Sequence, residues 1–112
     1  MGFKPPGSSD TAGTRTANIN RMLNVYWLVT RNEQGEVNNP EEAVSRMDAL
    51  RIYTLWGAYS GFEEKIKGSL EPGKLADMVV LSADLLSLPP DQFKDVKADA
   101  TIIDGQVRYE RK

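Results

Sequence analysis

The chain contains neither histidine nor cysteine. Without cysteine it has no disulfide framework, no thiolate metal site and no thiol nucleophile, which fits a cytoplasmic protein. Long apolar runs are missing too. The longest, Val25-Tyr26-Trp27-Leu28-Val29, falls far short of the roughly 20 residues that span a bilayer. The first residues, Met1-Gly2-Phe3-Lys4-Pro5-Pro6, hold no apolar core for a secretory signal and no Ser or Thr where a myristoylation motif wants one. Neither sign of charge dominates. Fourteen Lys and Arg stand against 16 Asp and Glu, the formal net charge is −2, and no basic run exceeds two residues. Such a balance leaves no electrostatic footprint for nucleic acid. The expected protein has neither a membrane nor a nucleic-acid partner.

What is present suits a globular chain of modest core: 112 residues, 40% apolar and 27% charged. At this length roughly two-thirds of the extended-chain surface can be buried. Residues 1–18 are rich in Gly, Pro, Ser and Thr and carry no periodicity. Pro5-Pro6-Gly7-Ser8-Ser9 suits neither a helix interior nor a central strand, so this segment reads as loop or disordered. Ile19, Met22, Leu23, Tyr26 and Trp27 recur at helical spacing, and Asn18 or Asn20 is a suitable cap. The β-branched and aromatic content of Val25 to Thr30 argues for a strand instead; the spacing favours a helix. Gln34-Gly35 and Asn38-Asn39-Pro40 then mark a loop.

Glu41 to Tyr59 carries the clearest helical pattern. Pro40 suits a first turn, and Glu41 and Glu42 suit the positive helix N-terminus. Ser45, with Asp48 three residues on, offers a second start. The polar face is narrow, chiefly Arg46, Asp48 and Arg51. A helix apolar around most of its girth is normally buried on two sides, which implies a further neighbour. Ser60-Gly61 is a plausible stop.

From Gly68 to Ala83 the pattern reads as strand–turn–strand. Glu71-Pro72-Gly73-Lys74 has the residue order of a type II turn. Met78-Val79-Val80-Leu81 is a continuous apolar run, as in a strand covered on both faces. Leu88-Pro89-Pro90-Asp91 opens a short helical turn through Phe93. Ala100 to Tyr109 reads as a hairpin, with Asp104-Gly105 supplying the positive-φ pair of a type I′ turn. The expected architecture is α+β: a helical segment over 19–66, then a β-rich segment over 67–112 with a sheet of four to five strands.

Three motifs occur in order: Ala49-Leu50-Arg51-Ile52-Tyr53-Thr54, then Gly68-Ser69-Leu70-Glu71-Pro72-Gly73-Lys74-Leu75-Ala76-Asp77-Met78-Val79-Val80-Leu81, then Thr101-Ile102-Ile103-Asp104-Gly105-Gln106-Val107. Together they resemble the C-terminal portion of the amidohydrolase superfamily, and within it the third, N-acyl-amino-acid hydrolase-like subfamily. The resemblance implies a (β/α)8 barrel, incomplete here, with a small β-sandwich to which the Gly68–Leu81 run belongs as scaffold. It also implies hydrolysis of non-peptide C–N bonds by a zinc-like divalent metal that activates water. In Gly7-Ser8-Ser9-Asp10-Thr11 it implies that Asp10 is the carboxylate following the eighth barrel strand, acting as metal ligand and as catalytic proton acceptor. Read without the resemblance, Asp10 is a turn or capping residue.

A catalytic zinc takes about three protein ligands, and a chain without histidine offers at most Asp10. The chain is therefore expected to hold no metal and to be inactive by itself. The alternative is a non-catalytic module that binds a partner or a second copy, because a severed sandwich leaves strand edges unpaired; a homo-oligomer is expected on either reading. Other features read as structure. Lys74 lacks the glycine spacing of a phosphate loop. Glu63-Glu64 fits a solvated turn, and Arg31, within reach of a carboxylate, fits a surface role better. Tyr53, Trp56 and Tyr59 fit core or interface better than a ligand cage.

Overall fold

The computed structural model describes residues 2–8 and 20–112. It is α+β, with short helices, two small antiparallel sheets and no closed barrel among the described residues. No described helix is long and apolar enough to cross a membrane. The chain divides into two compact units. The described residues of Ser8–Leu50 with Asp84–Val96 form one; those of Met1–Gly7 with Arg51–Ala83 and Lys97–Lys112 form the other.

The first unit opens with α1, Arg21–Thr30, in agreement with the helical spacing. Asn20 caps it: its side chain accepts the Met22 N–H at 3.0 Å and its amide donates to the Lys94 carbonyl at 3.0 Å. The cap thus ties the helix start to a 3₁₀ segment, Pro90–Asp95, against which α1 packs. That segment is the short turn expected after Leu88-Pro89. Arg31 ends the helix in the left-handed region at φ 55°, its N–H returning to the Trp27 carbonyl.

The expected loop over 32–39 contains a small hairpin, β1 (Asn32–Glu33) and β2 (Glu36–Val37). Gln34 and Gly35 both take positive φ, which matches the twist of the flanking strands. Arg31 spans its base, donating to the Asn38 carbonyl and pairing with Glu42 at 3.0 Å.

The single helix expected over Glu41–Tyr59 is three pieces: a 3₁₀ turn at Pro40–Glu42, then α2 (Arg46–Tyr53) and α3 (Leu55–Ser60). The second start wins because the Ser45 side chain satisfies a first-turn N–H. Asp48 donates its N–H to the Ser45 hydroxyl at 3.0 Å, and that hydroxyl reaches the Asp48 carboxylate at 2.8 Å. A second break falls at Thr54, whose φ of −127° and ψ of −95° lie outside the helical region.

The core of the first unit holds Val25, Ala49, Leu85, Phe93 and Val96. Arg46, read from sequence as part of a solvated face, closes this core instead. Its Nη1 lies 3.1, 2.9 and 2.7 Å from the carbonyls of Leu85, Leu86 and Leu88, and the guanidinium sits 5.3 Å from the Phe93 ring centroid. The loop ahead of the Pro90–Asp95 segment has no strand or helix to absorb these acceptors, so one cation gathers them.

In the second unit β3 (Met78–Leu81), β4 (Ala98–Ile103) and β5 (Gln106–Glu110) form one antiparallel sheet in that order. It has three strands rather than four or five. Asp104 and Gly105, at φ 51° and 72°, make the expected hairpin turn. The hairpin tip is fastened to the entry of β3, since Asp104 N–H meets the Asp77 carboxylate at 2.8 Å and Gly105 N–H the Ala76 carbonyl at 3.1 Å. Gly73, at φ 91°, completes the turn at Glu71-Pro72-Gly73-Lys74, where Lys74 N–H returns to the Glu71 carbonyl at 3.2 Å.

Two expectations for this unit fail. Residues before the turn form no strand, because Gly68 takes φ 93° and runs against α3. A Cβ on Gly68 would lie 2.7 Å from the Ala58 Cβ and 3.0 Å from the Leu55 Cα. Nor is β3 covered on both faces: its adjacent residues Val79 and Val80 point to opposite sides and are 52% and 48% exposed.

Arg46→Ala is expected to lower stability by about 2–3 kcal/mol, since charged hydrogen bonds and packing are lost together. Arg46→Lys should recover only part of this, because a point charge does not reproduce the planar donor. Urea denaturation followed by circular dichroism measures both. Gly68→Ala is expected to cost about 2–4 kcal/mol by the same measurement, combining a disfavoured φ with a clash against backbone.

Candidate functional site

The sequence placed its one candidate catalytic and metal-binding residue at Asp10, which lies outside the described residues. The chain leading towards it is described as far as Ser8. There Gly7 donates its N–H to the Ile52 carbonyl at 3.1 Å. A Cβ at Gly7 would stand 2.5 Å from Ile52 Cγ2 and 2.8 Å from the Tyr53 ring. Only glycine lets the backbone pass so near the end of α2. The Gly-Ser-Ser-Asp segment and the Tyr53-Thr54 motif, far apart in sequence, are therefore joined at Gly7.

The described residues gather no group of three His, Cys, Asp or Glu side chains that could hold a metal. The whole sequence contributes no imidazole and no thiolate. Among the described residues no donor set for a zinc-like cation is formed, and no chemical step through a metal follows from them. Several of the described carboxylates have other partners. Glu63 pairs with Lys67 at 2.6 Å, Asp77 accepts from the Asp104 backbone, and Asp99 pairs with Arg111 at 2.6 Å. Tyr59, read from sequence as core or interface, is about half exposed and lies under the Lys4 ammonium, 4.9 Å from its ring centroid.

Sequence reasoning missed one feature of this unit, an open groove of about 640 Å³. Its floor comes from Thr54, Leu55 and Ala58 at the helix break, its walls from Gly68, Leu70 and Met78. The one signal for it in sequence was Gly68, whose missing side chain lets the wall approach the floor. The lining is mainly apolar; of its charged residues Arg51, Lys67 and Asp77, the last two hold the partners just named. Such a lining suits apolar groups.

Beside the groove the signature run closes on itself. Lys74 Nζ donates to the Ser69 hydroxyl at 2.6 Å, that hydroxyl donates to Glu71, and Lys74 pairs with the same carboxylate at 2.7 Å. The Lys74 hydrogen bond, then the Ser69 hydroxyl, then the lysine charge hold the Glu71 carboxyl below the usual glutamate range. A carboxylate with a lowered folded-state pKa stabilises the turn above its unfolded pKa, and that contribution disappears as pH falls through the folded value. Amide chemical shifts of Gly73 and Lys74 should therefore hold constant on acidification through the ordinary glutamate range and move only below it. Glu71→Gln should abolish this transition.

Comparison with known proteins gives the scaffold its relatives. The model of the amidohydrolase family matches residues 1–109. The N-substituted formamide deformylase of Arthrobacter pascens is 33% identical over 89 residues, covering 78% of this chain and 16% of its own length. Protein LONG AFTER FAR-RED 3 of Arabidopsis thaliana is 42% identical over 73 residues, covering 62% of this chain and 12% of its own. Among solved structures, an amidohydrolase from Thermotoga maritima MSB8 superposes with a TM-score of 0.52 at 30% identity, over 63% of this chain and 17% of that one. The chain thus spans less than one fifth of the length of each of these three. With the family model matched along nearly its whole length, the chain belongs to the amidohydrolase family.

Proposed function

We propose that this chain is the C-terminal part of a metal-dependent amidohydrolase that hydrolyses non-peptide C–N bonds, and that it is inactive by itself. The observation that carries the reading is a family match over residues 1–109 in a chain with no histidine. The scaffold is present while the donors that a catalytic divalent metal needs are not. The small share of its relatives' length that the chain spans supports the same reading. In the whole protein, Asp10 contributes one carboxylate to a ligand and proton-accepting set whose other members lie in the remaining sequence. The groove floored by Thr54 and Ala58 then receives apolar side chains of that remainder. The reading includes a cytoplasmic protein, in keeping with its lack of cysteine.

The test is turnover by the purified chain, supplied with zinc, against N-acyl amino acids and N-substituted formamides. Hydrolysis at the rate of the buffer is expected, with no zinc taken up in calorimetry. Turnover above background that disappears in Asp10→Asn would overturn the claim of inactivity. Zinc binding at a one-to-one ratio would overturn the statement that the ligands lie elsewhere.

A further inference from the structure

We propose that Asp104-Gly105 is a site of isoaspartate formation, and that the contact of the hairpin tip with Ala76 and Asp77 masks it while the chain is folded. An aspartate rearranges when the following backbone nitrogen attacks its side-chain carbon. A side chain on the following residue hinders that attack, and glycine does not. Asp104 is the only Asp or Asn in the sequence that precedes a glycine. Both residues of the pair are exposed. Among the described residues no hydrogen bond or ion pair restrains the Asp104 carboxylate.

The chemistry needs only water. The Gly105 nitrogen bonds to Asp104 Cγ and gives up its proton. One carboxylate oxygen leaves as water, carrying that proton and one from solvent. The product is a cyclic imide whose nitrogen is shared by both carbonyl carbons of Asp104. A second water reopens it and returns a proton to solvent. Attack at Cγ restores the aspartate. Attack at the main-chain carbonyl breaks the original peptide bond and leaves the chain running through Cβ and Cγ. The mass is unchanged, and the backbone is one carbon longer.

The fold withholds the nitrogen. Gly105 N–H donates to the Ala76 carbonyl at 3.1 Å, and Asp104 N–H donates to the Asp77 carboxylate at 2.8 Å. Positive φ at both residues sets a tight turn, and Ile103 stands opposite Gln106 just beyond it. For attack, the Gly105 nitrogen must lose its proton and its peptide plane must swing towards Asp104 Cγ. Both movements break the bond to Ala76. The reaction therefore waits until the tip detaches from the entry of β3, a local opening that leaves the rest of the chain folded. Once isoaspartate has formed, the extra carbon displaces Gly105 from Ala76, and the original contact cannot close again. The site thus keeps a cumulative record of how often the tip has opened.

The test is incubation of the chain at neutral pH, folded and in guanidinium chloride. Isoaspartate at position 104 is read in the tryptic peptide Ala98–Arg108 by electron-transfer fragmentation, which separates the two isomers. Accumulation in denaturant should exceed that in the folded chain by about tenfold or more. Asp77→Ala removes the acceptor of the Asp104 N–H and should speed the folded chain's reaction on the order of tenfold. Asp77→Asn keeps an acceptor oxygen and should stay near the original rate. Asp104→Asn reaches the same imide with loss of ammonia and preserves a favoured Asn-Gly turn. Its gain in mass reads imide formation with Ala76 and Asp77 intact, so the comparison of folded with unfolded chain stands even where Asp77→Ala fails to fold. Equal rates in the folded and unfolded chain, a folded Asp77→Ala chain that reacts no faster, or no isoaspartate at position 104 in denaturant would each overturn the proposal.

Discussion

The sheet-bearing unit depends on one close approach. At Gly68 the chain passes so near Leu55 and Ala58 that a single added carbon would collide with both. The positive φ needed there turns the segment out of extended geometry and lays it along α3. From that point the turn at Glu71-Pro72-Gly73-Lys74 returns the chain into β3, and Ala76 and Asp77 meet the β4–β5 hairpin tip. The groove takes part of its wall from this approach. Its part in the run from Gly68 to Leu81 is to let the chain lie against α3.

The features legible in the sequence are those whose cause is local. Asp104-Gly105, Pro72-Gly73 and the Asn20 cap each state their geometry within four residues, and the structure shows each as read. The box at Ser45 and Asp48 was legible as well, although a longer helix was preferred over it. What was not legible has a distant cause. The strand expected before the Pro72 turn is cancelled by α3. Arg46 looks solvated along its own helix and becomes structural only through carbonyls some forty residues away. β3 has the composition of a strand covered on two faces, but no strand pattern tells whether the cover lies within the same chain. At the candidate site the sequence offered one carboxylate, Asp10; the described structure supplies only its approach, through Gly7.

The family's motifs persist here as architecture. Glycines set close approaches at positions 7 and 68, Pro72 and Gly73 reverse the chain, and Lys74 closes a ring with Ser69 and Glu71. None of these groups is placed to attack a bond or move a proton. Similarity of scaffold is a good guide to ancestry and a poor guide to chemistry, which resides in the groups a scaffold positions.

The half-exposed valines of β3 have a consequence for the life of the molecule in a cell. Met78-Val79-Val80-Leu81 carries no charge and no proline, and its middle residues show on opposite sides of the sheet. Short, uncharged, β-prone segments of this kind drive aggregation when left open. A chain that displays one even when folded keeps in view the signal that chaperones and proteases use to sort unfolded proteins. Its abundance would then be set by how quickly that strand is covered, so that turnover rather than folding stability limits how much of the protein persists.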